Sequence, residues 1–181
     1  MKVTQTAIAD VLLLEPEVFG DQRGFFFESY NARLFKRDTG LEVTFVQDNH
    51  SRSSRHVLRG LHYQIRHAQG KLVRVILGRV RDVAVDLRRS SPTFGRWVSE
   101  ELSAENQWQL WIPAGFAHGF VVLSDVADFL YKTTDYYDRD AERTIMWNDP
   151  DLAIDWRLDQ EPVVAKKDSA GARFRDAETF E

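Results

Sequence analysis

Two histidine-bearing runs hold the side chains of this sequence best suited to proton transfer. One is Arg59-Gly60-Leu61-His62-Tyr63-Gln64, soon followed by Gln69-Gly70-Lys71. The other is Pro113-Ala114-Gly115-Phe116-Ala117-His118-Gly119-Phe120. An imidazole titrates near ~6.5, so it can take or give a proton at neutral pH. Lys71 adds a cation beside the first run. Tyr131, in Phe129-Leu130-Tyr131-Lys132-Thr133-Thr134, adds a phenol that titrates near ~10 and is therefore a proton donor at neutral pH. On a strand His62 faces away from Leu61 and Tyr63. Arg59 lies three positions earlier and on a regular strand faces the opposite side. The two share a cavity only if a bulge interrupts the strand near Gly60, or Arg59 serves a neighbouring subunit's site.

Three further stretches carry polar or aromatic groups a ligand could use. Gly20-Asp21-Gln22-Arg23-Gly24-Phe25-Phe26-Phe27-Glu28 is a glycine-flanked turn leading into an aromatic run that reads as a core strand. Gln47-Asp48-Asn49 ends a strand with three hydrogen-bonding side chains, a polar loop or a ligand rim. Tyr136 and Tyr137 precede Asp138-Arg139-Asp140. An exposed tyrosine there could stack on a base, worth roughly 1–3 kcal/mol.

The elements that must position these groups are mostly strands. Val83, Val85 and Leu87 alternate with Asp82, Ala84, Asp86 and Arg88, the period-two pattern of a half-buried strand. Lys71–Leu77 precedes it, with Gly78-Arg79 as the turn. Further strands fit 11–14, 43–47, 57–64, 96–102, 107–112, 119–123, 129–133 and 143–147. Turn chemistry separates them at Ser90-Ser91-Pro92, Ser124-Asp125 and Asn148-Asp149-Pro150. One helix fits, with Asn31 as N-cap, then Ala32 to Arg37, and Gly40 past its end. Short strands at this spacing predict a sandwich or barrel. Residues 1–181 read as one domain, with 169–181 a loosely packed tail or a short helix.

Composition narrows the partners. A net charge of −4 with both signs interspersed lacks the basic footprint of a nucleic-acid binder. A few converging arginines can still hold a small anion. With no cysteine there is no thiol nucleophile and no thiolate metal site. No apolar run approaches the ~18 residues of a membrane span, so the expected setting is soluble and cytoplasmic.

The run Pro113–His118 matches the second cupin motif, in which proline and glycine turn the chain before a histidine-bearing strand. In metal cupins the first motif sets two histidines one residue apart and then a glutamate. Here Gln64 stands two after His62 and no glutamate follows nearby, so most of a metal's ligands are missing. Taken in order, the blocks Gly20–Tyr30, Phe45–Ser51, Leu58–Gln64, Ala68–Leu87, Trp111–Val122, Phe129–Tyr137 and Trp147–Trp156 resemble the dTDP-4-dehydrorhamnose 3,5-epimerase family. The resemblance implies an all-β fold, a cupin-like double-stranded β-helix (jelly roll) with one or two short helices. It also implies a homodimer with strand exchange, no cofactor or metal, and a dTDP-4-keto-6-deoxy sugar as substrate.

By the same resemblance His62 is the general base, Asp168 the carboxylate that orients it, Tyr131 the acid on the opposite face of the ring, and Lys71 the cation that meets the enolate oxygen. Arg23, Arg59 and Lys167 meet the diphosphate or polar edges of the nucleotide sugar, with Glu28, Gln47, Asp48, Asn49 and Glu142 as further contacts. His118 lies near the sugar, Tyr137 stacks on thymine, and Phe19 covers its other side. A monofunctional 3-epimerase or ketoisomerase on a related dTDP-4-keto-6-deoxy sugar is the alternative. An iron-dependent cupin dioxygenase and a non-catalytic sugar-nucleotide binding module stand further off.

Overall fold

A computed structural model describes residues Met1–Glu181. In chain order the strands are β1 (Lys2–Gln5), β2 (Leu12–Glu15), β3 (Phe19–Asp21), β4 (Gly24–Phe26), β5 (Gln47–Ser54), β6 (Val57–Gln64) and β7 (Lys71–Leu77). They continue with β8 (Arg79–Asp86), β9 (Trp97–Ser103), β10 (Gln109–Ile112), β11 (Phe116–Val122), β12 (Val126–Thr133), β13 (Glu142–Thr144) and β14 (Val163–Val164). Helix α1 (Ala32–Thr39) falls between β4 and β5, and α2 (Lys166–Ser169) follows β14. No helix is long and apolar enough to cross a membrane.

Two sheets face one another in the expected jelly roll. The first has the order β1-β2-β10-β7-β12-β5, and the second β13-β6-β11-β8-β9, with β14 added parallel to β6. Successive side chains on a strand point to opposite faces, so two sheets create three apolar layers. Val73, Val75, Leu110 and Phe129 of the first sheet meet Val80, Ala84, Phe116 and Phe120 of the second in the central layer. Behind the second sheet, Leu58, Leu61, Val83, Val85 and Val121 pack under Ile145, Leu152 and Trp156. Behind the first, Leu12, Leu14, Leu72 and Trp111 pack under Phe35 of α1.

The α1 boundaries follow from its caps. The Asn31 side chain accepts from the backbone N–H groups of Arg33 and Leu34 at 3.1 and 3.2 Å. Gly40 ends the helix at φ 73° and returns its N–H to Lys36, a left-handed cap that glycine adopts without strain.

Three expectations need correction. Residues 43–46 form no strand, and Gln47-Asp48-Asn49 begin β5 instead of ending a strand. The alternation of Val43 and Phe45 reflects docking on the helix layer, where the Phe45 ring meets Trp111 and Phe35 at 6.0 and 5.8 Å. Strand β8 is not half-buried, because it is covered on both faces and Asp82 and Asp86 are 0% exposed. The run Phe25-Phe26 is not core, since β3 and β4 pair only with each other and both rings are exposed. Residues 169–181 hold one 3-10 turn, Phe174–Asp176, and are docked. Tyr63 donates its hydroxyl to the Glu178 carbonyl at 2.5 Å, and Phe180 exchanges backbone bonds with Leu87 and Arg89. Those contacts go to β6 and to the segment just past β8, so the tail pairs with no continuous strand and shows no periodicity.

The bulge near Gly60 is present. His118 pairs with His62, but Phe120 pairs with Arg59, so β6 spends one more residue than β11 over that stretch. Arg59 and His62 thereby reach the same face. Gly60 sits at φ 130°, and a Cβ there would lie 2.6 Å from the Gly119 Cα. Gly60→Ala is therefore expected to destabilise the fold by about 2–4 kcal/mol. The measurement is a urea midpoint, and an unchanged midpoint would contradict this account of the bulge.

Candidate active site

The two sheets separate at one end around a cavity of about 390 Å³. Its lining comes from both. Asn49, Lys71, Phe129 and Tyr131 project from the first sheet, and Arg59, His62, His118, Phe120 and Glu142 from the second. Tyr137, Lys167 and Asp168 complete the rim. The pleat accounts for the first group, because Asn49 is the cross-strand partner of Tyr131, and Tyr131 of Val73. Lys71 shares Val73's face.

His62 Nε2 lies 2.7 Å from Asp168 Oδ1. Asp168 is buried, and its second oxygen accepts from the Gly60 backbone N–H at 3.3 Å. Burial, the largest influence on this carboxyl, raises its pKa. The bond and charge of His62, the Gly60 N–H and Lys167 together outweigh it and hold the group below the usual carboxylate range. An ionised carboxylate only accepts, so the His62 proton sits on Nε2 and Nδ1 is left bare as a base.

A second dyad stands beside the first. His118 Nε2 lies 2.9 and 3.0 Å from the two oxygens of Asp82, and both residues are buried. Burial dominates both groups, lowering the imidazole and raising the carboxyl, against the pull of their mutual charge and hydrogen bond. Lys71 is also buried, with the His62 carbonyl 3.4 Å from its ammonium. Burial pulls it down to about 8, opposed by the charges of Asp82 and Glu142. Tyr131 is shifted the other way. Burial first, then the Glu142 charge, raises the phenol above its ordinary value and keeps it a donor.

At the rim, Lys167 and Tyr137 both donate to Glu142, at 2.9 and 3.2 Å. Arg59 Nε is held by Ser53 Oγ at 2.9 Å. The Asn49 side-chain oxygen accepts from Gln47 at 3.0 Å, and its amide nitrogen is buried without a partner. Gln64, which stands where a metal cupin has its second histidine, donates to the carbonyls of His67 and Tyr136 and accepts from the Asp138 N–H. Its contacts tie the β6–β7 connection to the loop that carries Tyr137.

Five predicted contacts do not line the cavity. Gln47 lies behind the rim, where its carbonyl oxygen accepts the Tyr137 N–H at 3.0 Å. Asp48 points to the outer face and pairs with Lys132 at 2.9 Å, because it falls between the inward Gln47 and Asn49 on β5. Glu28 accepts from the Asn31 side chain beside the α1 cap. Phe19 and Arg23 sit on the exposed β3–β4 hairpin, where Arg23 pairs with Asp21. Asp82, which lies behind the lining and holds His118, is the residue that sequence reasoning missed. The available signal for Asp82 was an acid sharing the core-facing parity of Val80 and Ala84.

Known proteins resemble this chain over nearly its whole length. The profile of the family described as dTDP-4-dehydrorhamnose 3,5-epimerase matches residues 5–176. A protein of that name from Pseudomonas aeruginosa is 67% identical over 180 residues, 99% of each chain. The fold overlays a crystal structure of dTDP-6-deoxy-D-glucose-3,5-epimerase from Legionella pneumophila, in complex with dTDP-4-keto-L-rhamnose. The TM-score is 0.96 at 51% identity, over 98% of this chain and 94% of that one. A dTDP-4-dehydrorhamnose 3,5-epimerase structure from Elizabethkingia anophelis gives 0.92 at 50% identity, over 97% of each chain.

The buried Lys71 has a thermodynamic signature. Its folded value of about 8 lies below the unfolded one, so the folded protein releases this proton first as pH rises. Between pH 8 and the unfolded value near ~10.4, the unfolded chain binds more protons here and stability rises with pH. Below pH 8 the buried cation costs on the order of 3 kcal/mol. Lys71→Met is expected to raise the unfolding free energy at pH 7 by up to that amount and to flatten the rise above pH 8. Urea titrations across this range test it, and a variant less stable than wild type at pH 7 would refute the assignment.

Proposed function

The chain belongs to the dTDP-4-dehydrorhamnose 3,5-epimerase family, and from that premise we propose how this isomerase uses its cavity. The substrate is dTDP-4-dehydro-6-deoxy-D-glucose, and inversion at carbons 3 and 5 gives dTDP-4-dehydro-L-rhamnose. The observation that carries this reading is that a base and an acid stand on opposing sheets. His62, backed by Asp168, projects from β6, and Tyr131 projects from β12 into the same cavity.

His62 Nδ1 removes the proton beside the ketone, the C–H electrons move onto the carbonyl oxygen, and the Lys71 ammonium meets the resulting enolate. A fixed cation in a water-poor site is worth most where charge develops. Tyr131 then delivers its hydroxyl proton to the other face of the same carbon, which inverts it, and solvent resets both groups. Each positioned acid or base contributes typically ~10²–10⁴ in rate. The ketone at carbon 4 acidifies both neighbours, so one base serves both centres in turn.

Arg59 and Lys167 supply cations for the diphosphate, His118 and Asn49 contact the sugar, and Tyr137, exposed at the rim, stacks on thymine. We further propose a homodimer with strand exchange. The β3–β4 hairpin leaves Phe19, Phe25 and Phe26 exposed and carries Arg23 away from its own cavity, which supports delivery of Phe19, Arg23 and Glu28 to a second copy's site. The whole chain acts as one domain in this reading. A cytoplasmic setting belongs to the same reading, in keeping with a nucleoside-diphosphate substrate.

Three experiments test these assignments. In heavy water with the 4-keto-6-deoxy sugar nucleotide, NMR should show exchange at both ring carbons, and exchange at one only would leave a monofunctional enzyme. His62→Ala should lose exchange by a factor of ~10² or more, whereas Tyr131→Phe should retain exchange and lose inversion. The pH profile of kcat/KM should fall as pH rises through about 8, where Lys71 gives up its proton. Mixing Arg23→Ala with His62→Ala subunits should restore activity neither has alone, and no recovery in proven mixed dimers would sink the exchange.

A further inference from the structure

Asp82 takes part in none of the steps above, yet it is the most completely buried acid next to the cavity. It is 0% exposed, has no lysine or arginine within ion-pair distance, and turns both oxygens on one ring nitrogen of His118. It lies on β8 diagonally across from His118 on β11, on the same core-facing side of the sheet as Val80 and Ala84. A carboxylate so placed accepts the Nε2 proton, which leaves Nδ1 as the His118 nitrogen for the cavity.

The charge of the same carboxylate also acts on the buried Lys71. The titratable groups around that ammonium are Asp82 on β8, Glu142 on β13, His62 on β6, His118 on β11 and Tyr131 on β12. Glu142 is already committed to Lys167 and Tyr137. Asp168 is committed to His62. Asp82 is thus the one fully buried acid whose charge is shared between His118 and Lys71.

Resting on the epimerase reading, we propose that Asp82 is a positioning residue that sets two cavity groups at once. It fixes His118 as the Nε2–H tautomer, so that a bare Nδ1 accepts a hydrogen bond from a sugar hydroxyl. It also supplies the negative charge that keeps Lys71 an ammonium at neutral pH. A purely structural acid would satisfy the buried histidine and leave the Lys71 titration alone.

Asp82→Asn separates these roles, because the amide keeps the shape and removes the charge. The Lys71 side chain, followed by NMR in wild type and variant, should titrate at least about one pH unit lower in the variant. The alkaline limb of kcat/KM should move down with it. Nitrogen-15 spectra of His118 should show the Nε2–H tautomer in the wild type, and the amide oxygen of the variant can still accept that proton. An unmoved Lys71 titration, or a wild-type His118 carrying its proton on Nδ1, overturns the proposal. If the variant does not fold, the wild-type tautomer decides alone. Neither NMR readout depends on turnover, so a wild type that fails to exchange substrate protons counts against the epimerase reading and not against Asp82.

Discussion

Strand alternation is the constraint on which this site depends. Every residue of β6, β7, β11 and β12 must choose between the space inside the sandwich and a layer outside it, and both are apolar over most of their area. An inward polar group is tolerated only where another group compensates it. The cavity is the place where inward polar residues from both sheets coincide, with His62, His118, Lys71, Tyr131 and Asn49 in one volume. A regular β6 would have turned either Arg59 or His62 outward. One extra residue at Gly60, possible because Gly119 opposite has no side chain, puts both inside.

The two histidine–aspartate pairs show how position alone separates roles. Cross-strand neighbours His62 and His118 each give Nε2 to a carboxylate. The His62 side chain is 23% exposed and that of His118 8%. The more open one can exchange its proton with substrate and solvent. The enclosed one is held neutral by burial and serves as a fixed polar wall. Asp168 arrives on a short helix that packs over β6, whereas Asp82 is built into β8.

Much of this was legible from sequence because local chemistry and tertiary need agree. Strands β6 and β7 begin and end where their apolar patterns do, and α1 runs between the residues that cap it. The residues placed on β6, β7 and β12 for chemical reasons, His62, Lys71 and Tyr131, meet in one cavity. The illegible parts required knowing what covers what. Asp82 reads as the solvent side of a half-buried strand until β8 is seen between two cores. Asp48 faces outward because β5 starts at Gln47, a boundary masked by the similar alternation of Val43 and Phe45. Phe25 and Phe26 look like core until the hairpin is found to have no sheet of its own chain to cover it.

The pairing of His62 with Asp168 has a consequence in time. Their contact closes 106 positions of chain, and a ribosome delivers the N-terminal partner first. Both sheets except β13 and the short β14 are complete by Thr133, so the sandwich can close before residue 168 has been synthesised. A nascent chain would then hold an imidazole without its carboxylate and a cavity without its Lys167 rim. Competence for proton transfer would come late in synthesis, as a switch thrown by the closing segment, and prematurely ended chains would fold around an idle base.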